Sequence, residues 1–378
     1  MPMLLPPSGA LPRPGSATSG PCPPLVPSFT DVLGAQVPTV RHIPAMCRAA
    51  VASELARLVR DTSVPMPTWE ALHKLMCFPK LVLRSSGRAG RKHPRQAAHD
   101  LDRRLRLFQT GQLEHLWNVA KAPMTRTPLE QPARTRARAK MEEDGVMSQA
   151  QAGKIRSLVE EGALSKAAKL LVSTGLVNSQ DPEVARVLKE LHPTASPNLV
   201  AGADLPSSVP NSLAGQDTEE DERDWAKRAW SAIISFPPGF AGGPSGLRPI
   251  HLSECCRKLG PGSPLVQAIG NFARMAVTTA FPASVREVLC ASTLIPLQKK
   301  DGGVRPIAVG DTLRRVVGKC LLRSGAVLME MDCLRPRQCG VGVCNAAEMV
   351  GMGLQRLVQS KHNEGANDYA VLQVDIRL

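Results

Sequence analysis

The sequence predicts an α+β protein: a mostly helical N-terminal half with disordered linkers, followed by a smaller unit that contains a β-hairpin. Three observations carry that expectation. Apolar residues recur at helical spacing in one stretch after another. Asp301-Gly302-Gly303 separates two alternating, β-branched runs, Leu294–Leu297 and Val304–Val309, and such a pattern is the strongest short-range hairpin signal. Segments rich in Pro, Gly, Ser or Arg divide the periodic stretches.

Composition narrows the function classes. The 378 residues leave room for two or three domains, and 43% hydrophobic content supports a core. The net charge of +14 favours a polyanionic partner, nucleic acid before anionic membrane. Aromatics are only 3% with a single Tyr, so stacking platforms for single-stranded bases are scarce. No run of 18 apolar residues exists, which argues against a membrane-spanning helix. Met1–Pro7 is broken by proline and lacks a basic start, a poor secretion signal. The chain reads as intracellular and not secreted, with nucleus and cytoplasm equally open. Ten cysteines include no C-x2-C pair; they read as reduced thiols rather than a zinc framework.

In order, residues 1–44 are rich in Pro, Gly and Ser and read as disordered. Residues 45–122 read as a basic helical region. Met46, Val51, Leu55, Leu58 and Val59 form a stripe over Ala45–Arg60. Thr68 caps a second helix that Phe78-Pro79 should end. A third carries Leu101, Leu105, Phe108, Leu113, Leu116 and Trp117 with Arg103, Arg104 and Arg106 beside them. Between Lys80 and Lys140 stand 15 Lys and Arg against 4 Asp and Glu, +11 of the whole net charge. The loop with Arg84, Arg88, Arg91, Lys92 and Arg95 suits phosphate contact; a basic unfolded segment or localisation signal fits it as well.

Residues 123–147 form a Pro/Arg linker. Residues 148–193 hold three short helices, with Ile155–Val159, Leu170–Val172 and Val184–Leu191 as apolar positions, and read as a small structural bundle. Residues 194–218 are a polar linker. A further domain spans 219–378. Its helices carry Trp225–Ile233, Leu265–Thr279, Leu313–Leu322 behind an Asp311-Thr312 cap, and Met349–Val358. The hairpin tip places Lys299, Lys300 and Arg305 near glycine backbone, which is either a solvated turn or a cradle for a polyanion. Gly246–Leu252 echoes Gly303–Val309 over seven residues, too short for a repeat. The final strand pattern, Tyr369–Leu378, plants Asp375 in an apolar run, where a lone carboxylate is costly without a cation or partner.

Four of these pieces stand together in one order: Gly243–Leu252, Leu294–Lys319, Gln338–Val343 with Glu348, and Val371–Asp375. In that order they resemble the fingers and the start of the palm of a reverse transcriptase, most closely the kind encoded by non-LTR retrotransposons. The helical stretch from Cys47 to Pro193 is similar, more loosely, to the segment upstream of the polymerase in such elements. The resemblance implies that Lys299 or Lys300, with Arg305, holds the triphosphate of a deoxynucleotide. It puts Gln338 and Gly340 near the template strand and makes Asp375 a ligand of catalytic Mg2+. RNA and DNA are the implied partners, with no membrane role. The family's aromatic-x-Asp-Asp motif is not in the sequence, and the chain ends three residues after Asp375. One aspartate does not hold the two metals of nucleotidyl transfer. The expectation is therefore a truncated polymerase, inactive by itself. A non-catalytic nucleic-acid-binding protein using the basic N-terminal region is the alternative, and a helical interaction protein whose basic loop is only a targeting signal is a third.

Overall fold

The structure is a computed structural model that describes residues 3–4, 27–85, 94–121, 149–160, 162, 164–171, 181–191, 219–237, 239–278, 281–299, 303–324 and 345–365. It is mostly helical with one small antiparallel sheet, as the sequence predicts at the level of fold class. Two units divide the chain, Met1–Leu322 and Arg323–Leu378.

The first unit begins earlier than expected. Helix α1 (Phe29–Gly34) opens on a capping box: the Ser28 hydroxyl accepts the Asp31 N–H at 3.1 Å, and the Asp31 carboxylate accepts the Ser28 N–H at 3.3 Å. Phe29, Val32 and Ile43 are buried, and Thr39 bridges to Arg84. Strand β1 (Met3–Leu4) also pairs with the later sheet. The disorder expected over 1–44 is thus corrected at residues 3–4 and from residue 27 onward. Proline, glycine and serine dominate the reading of that stretch, yet its apolar Phe29, Val32 and Ile43 find a core.

Helix α2 (Arg48–Thr62) follows a short 3-10 turn and buries the expected Val51, Leu55, Leu58 and Val59. Helix α3 (Trp69–Val82) starts where Thr68 caps it, its hydroxyl accepting the Ala71 N–H at 3.1 Å. It does not end at Phe78-Pro79. Pro79 lies inside the helix and withholds one N–H, while Phe78, Leu81 and Val82 are wholly buried, and that packing carries the helix on. The expected third helix is two, α4 (Pro94–Gln109) and α5 (Leu113–Lys121), parted by Gly111 at φ 79°. Helices α6 (Gln149–Glu160), α7 (Leu164–Leu171) and α8 (Pro182–Leu191) fall where expected. However, α6 packs on α7, whereas α8 packs against the hairpin strand β3 (Val304–Gly310) rather than on those two helices.

Helices α9 (Glu219–Ile234), α10 (Pro249–Cys256), α11 (Pro264–Thr278) and α12 (Ala283–Cys290) lead to the hairpin of β2 (Ser292–Gln298) and β3. Helix α13 (Thr312–Leu321) follows. The region 45–122 and the region from 219 were expected as separate domains. They instead share one hydrophobic core, with α11 packed on both α2 and α9. A Cβ on Gly270 would stand 2.8 Å from the Ala226 nitrogen, so glycine is what lets α11 and α9 touch.

Polar contacts seal the same joint. The Glu254 carboxylate accepts the Ile43 N–H at 2.8 Å and the Arg48 guanidinium at 3.0 Å, with His42 Nδ1 at 2.9 Å. His251, fully buried, donates from Nε2 to the Val40 carbonyl at 2.7 Å and accepts the Arg248 N–H on Nδ1 at 3.2 Å. Both ring nitrogens are satisfied only in the neutral form.

In the second unit, α14 (Ala346–Asn363) exposes Met349, Met352 and Leu357. No helix among the described residues is long and apolar enough to cross a membrane.

Burial pushes the His251 imidazole down to about 4 from an ordinary 6.5. A depressed histidine leaves stability in place above the unfolded-state value and removes it as the pH falls through the folded one. Unfolding free energies from urea titrations should therefore hold above pH 6.5 and fall toward pH 4, by about 3 kcal/mol for a shift of this size. His251→Gln keeps the donor to Val40 and should flatten that acid limb; an unchanged limb would assign it to other groups.

Candidate nucleotide and nucleic-acid interface

The hairpin positions the expected nucleotide-binding cations. Its register runs from Ser292 opposite Gly310 to Gln298 opposite Val304. The Lys299 N–H donates to the Gly303 carbonyl at 2.7 Å and adds one more rung toward the tip. Counting back from that rung, Pro296 and Pro306 face each other at a non-hydrogen-bonded pair. Neither missing N–H is then needed between the two strands, which is why two prolines fit a seven-residue pairing. Leu294 and Pro296 are buried, so the alternate face looks outward. Alternation puts Leu297, its partner Arg305, and Lys299 on that outward face. Arg305 is exposed and Lys299 half-buried. Lys300 and Asp301 lie outside the described residues.

The base of the hairpin is tied to the first of the resembling stretches. Asp311 caps α13, accepting the Leu313 N–H at 3.1 Å. The same carboxylate accepts the Ser245 N–H at 3.2 Å and the Ser245 hydroxyl. Thr312 donates its hydroxyl to the Leu247 carbonyl. Arg314 donates to the Cys290 carbonyl at 2.9 Å and to Ser292 Oγ at 3.2 Å, holding α13 against the start of β2. A Cβ on Gly243 would meet the Asp311 Cα and the Gly310 carbonyl oxygen at 2.5 Å. Only glycine permits that approach.

Lys80 reaches the same neighbourhood from α3. Buried, it donates to the Val32 and Leu33 carbonyls, the latter at 3.3 Å, near the C-terminal end of α1. Burial pulls its ammonium down to about 8, with Asp311 pulling the other way. The sequence echo resolves into two different structures. Gly246–Leu252 opens α10 with Pro249 at the first helical position, whereas Gly303–Val309 forms β3.

The basic region divides into structural and available cations. Arg104 is buried, donating to the Asp100 carbonyl at 3.0 Å and the Arg84 carbonyl at 2.6 Å. Arg84, an expected phosphate ligand, is half-buried and reaches the Val119 carbonyl at 3.5 Å. Desolvation lowers the pKa of both guanidiniums, that of Arg104 to about 10. Arg95 stays exposed, and Arg103 and Arg106 join it at helical spacing to make one outer ridge on α4, with His99 between them. Arg106 pairs with Asp102 at 2.9 Å. Arg88, Arg91 and Lys92 lie outside the described residues, as do Gln338, Gly340 and Asp375.

Sequence reasoning missed Lys80, Ser245 and the inward turn of Arg104. The only local signal was the apolar company of Lys80, between Phe78 and Leu81. Among the described residues no three His, Cys, Asp or Glu side chains are grouped to hold a metal; Asp375, the expected Mg2+ ligand, stands outside that set. In comparisons with protein-family models, curated proteins and solved structures, none matches the chain.

Asp311→Ala would strip three donors of their acceptor inside the protein. We expect it to lower stability by about 2–4 kcal/mol in urea titrations, against about 1 kcal/mol for Ser245→Ala. Equal effects from the two variants would mean that Asp311 does not anchor the junction.

Proposed function

We propose that this chain carries the fingers of an RNA-directed DNA polymerase of the non-LTR retrotransposon kind. In this reading it binds nucleotide and nucleic acid. One observation carries the reading. Two of the stretches that resemble the family, Gly243–Leu252 and Leu294–Lys319, meet at the Asp311 carboxylate. Residues that a shared task would keep together are together.

In this reading Lys299, Lys300 and Arg305 hold the triphosphate of the incoming deoxynucleotide from the hairpin. Triphosphate oxygens accept charge-assisted hydrogen bonds from just such a cluster. Gln338 and Gly340 lie along the template, and Asp375 is a ligand for Mg2+. Bound Mg2+ would neutralise charge on the reacting phosphoryl group.

The α4 ridge of Arg95, Arg103 and Arg106 favours a second reading, a nucleic-acid-binding protein with no nucleotide site. The two separate experimentally. Under the polymerase reading, Lys299→Gln with Arg305→Gln should weaken deoxynucleoside triphosphate binding about tenfold or more and leave duplex binding nearly intact. Replacing Arg95, Arg103 and Arg106 by Gln should weaken RNA and DNA binding across all sequences and lower the salt slope by about 3. Nucleotide binding that survives the hairpin changes would overturn the polymerase reading.

A further inference from the structure

Aromatic side chains are few here and most are spent on the core. Of seven Phe and four Trp, all but Trp69, Trp230, Phe236 and Phe240 are buried. Three of those four stand around one cleft. Helix α9 ends at Ile234, and Gly239 at φ 70° turns the chain so that Phe240 comes back onto Phe236. The two rings meet edge to face, centroids 6.0 Å apart. Trp230, from the last turns of α9, forms the adjoining wall, and α10 with Arg257 closes the other side. The space between is about 250 Å³. That is below the usual small-molecule range of about 300–1,000 Å³ and suits one planar group rather than a whole cofactor.

Cations stand beside the cleft. Arg257 is the only charged residue lining it among the described residues. The Lys319 ammonium lies 4.7 Å and the Arg315 guanidinium 5.7 Å from the centre of the Phe236 ring. Arg315 is held there by the Ala241 carbonyl at 2.7 Å, and Lys319 by the Ser235 hydroxyl at 3.0 Å. Glu254, the carboxylate on α10, is taken up by Ile43 and Arg48.

We propose that this cleft is a binding site for one unpaired base of a single-stranded nucleic acid, stacked among Trp230, Phe236 and Phe240, with its phosphates on Arg257, Arg315 and Lys319. The inference rests on the reading that the chain handles nucleic acid, and adds a single-strand subsite away from the hairpin tip. Aromatic faces beside cations are the combination that single-strand binding uses, since every base has a π-face and every link a phosphate. A protein occupant fits less well. The chain's own proline-rich segment 1–26 carries one Arg and no acid and offers nothing to three cations.

Fluorescence anisotropy with a labelled 12-nucleotide RNA, at fixed 0.1 M salt, tests this. Phe240→Leu should weaken binding about tenfold, Phe240→Trp should retain it, and an abasic strand of equal length should bind the unaltered chain about tenfold less well. A 2-aminopurine base in the RNA should be quenched on binding and not with Phe240→Leu. Equal affinity for the abasic and normal strands would overturn the stacking site, and that arm does not depend on any variant folding. Displacement of bound RNA by a peptide of residues 1–26 would overturn it in favour of a protein occupant. No binding of any strand by the unaltered chain would overturn the nucleic-acid reading itself, a failure distinct from loss of the subsite alone.

Discussion

Asp311 is the group on which the C-terminal part of the first unit depends. A buried carboxylate is costly unless donors meet it, and here three do: the Ser245 N–H, the Ser245 hydroxyl and the Leu313 N–H. Those bonds fix the start of α13, the end of β3 and the glycine loop before α10 in one place. Gly243 is the steric complement, because any side chain there would push the loop off the strand. A hairpin of two short strands is marginal by itself. Anchored at its base by Asp311 and Arg314, it keeps Arg305 and Lys299 on its outward face.

The shared core changes how the basic region relates to the hairpin. Helix α4 packs on α3, α3 on α2, and α2 on α11, so the Arg95–Arg106 ridge belongs to the same body as the helices before β2. Glu254 ties residues 42–48 to α10 across more than 200 positions of sequence. A nucleic acid lying on the ridge would meet a preorganised surface rather than a tethered arm, which lowers the ordering cost of binding.

Local signals were legible in the sequence. The stripes of α2, α9, α11 and α13, the Thr68 and Asp311 caps, and the pairing of two alternating runs as a hairpin each depend on residues close in sequence. What was not legible depends on distant partners. Pro79 continues a helix because Leu81 and Val82 are buried. The two Arg-Pro-Ile echoes diverge because Pro249 sits at a helix start and Pro306 at a non-hydrogen-bonded strand pair. A charge count over Lys80–Lys140 cannot tell that Lys80 and Arg104 point inward, since their acceptors are carbonyls contributed by folding. The Phe236–Phe240 cleft escaped for the same reason: low aromatic content says nothing of where the few aromatics gather.

Photo-crosslinking with the γ-(4-azidoanilide) of dATP, whose azide is carried on the terminal phosphate, followed by peptide mapping, addresses the central claim most directly. The account predicts an adduct on the peptide that spans Lys299 to Arg305, competed away by unlabelled dATP. An adduct confined to the α4 ridge, or none that dATP competes, would contradict it.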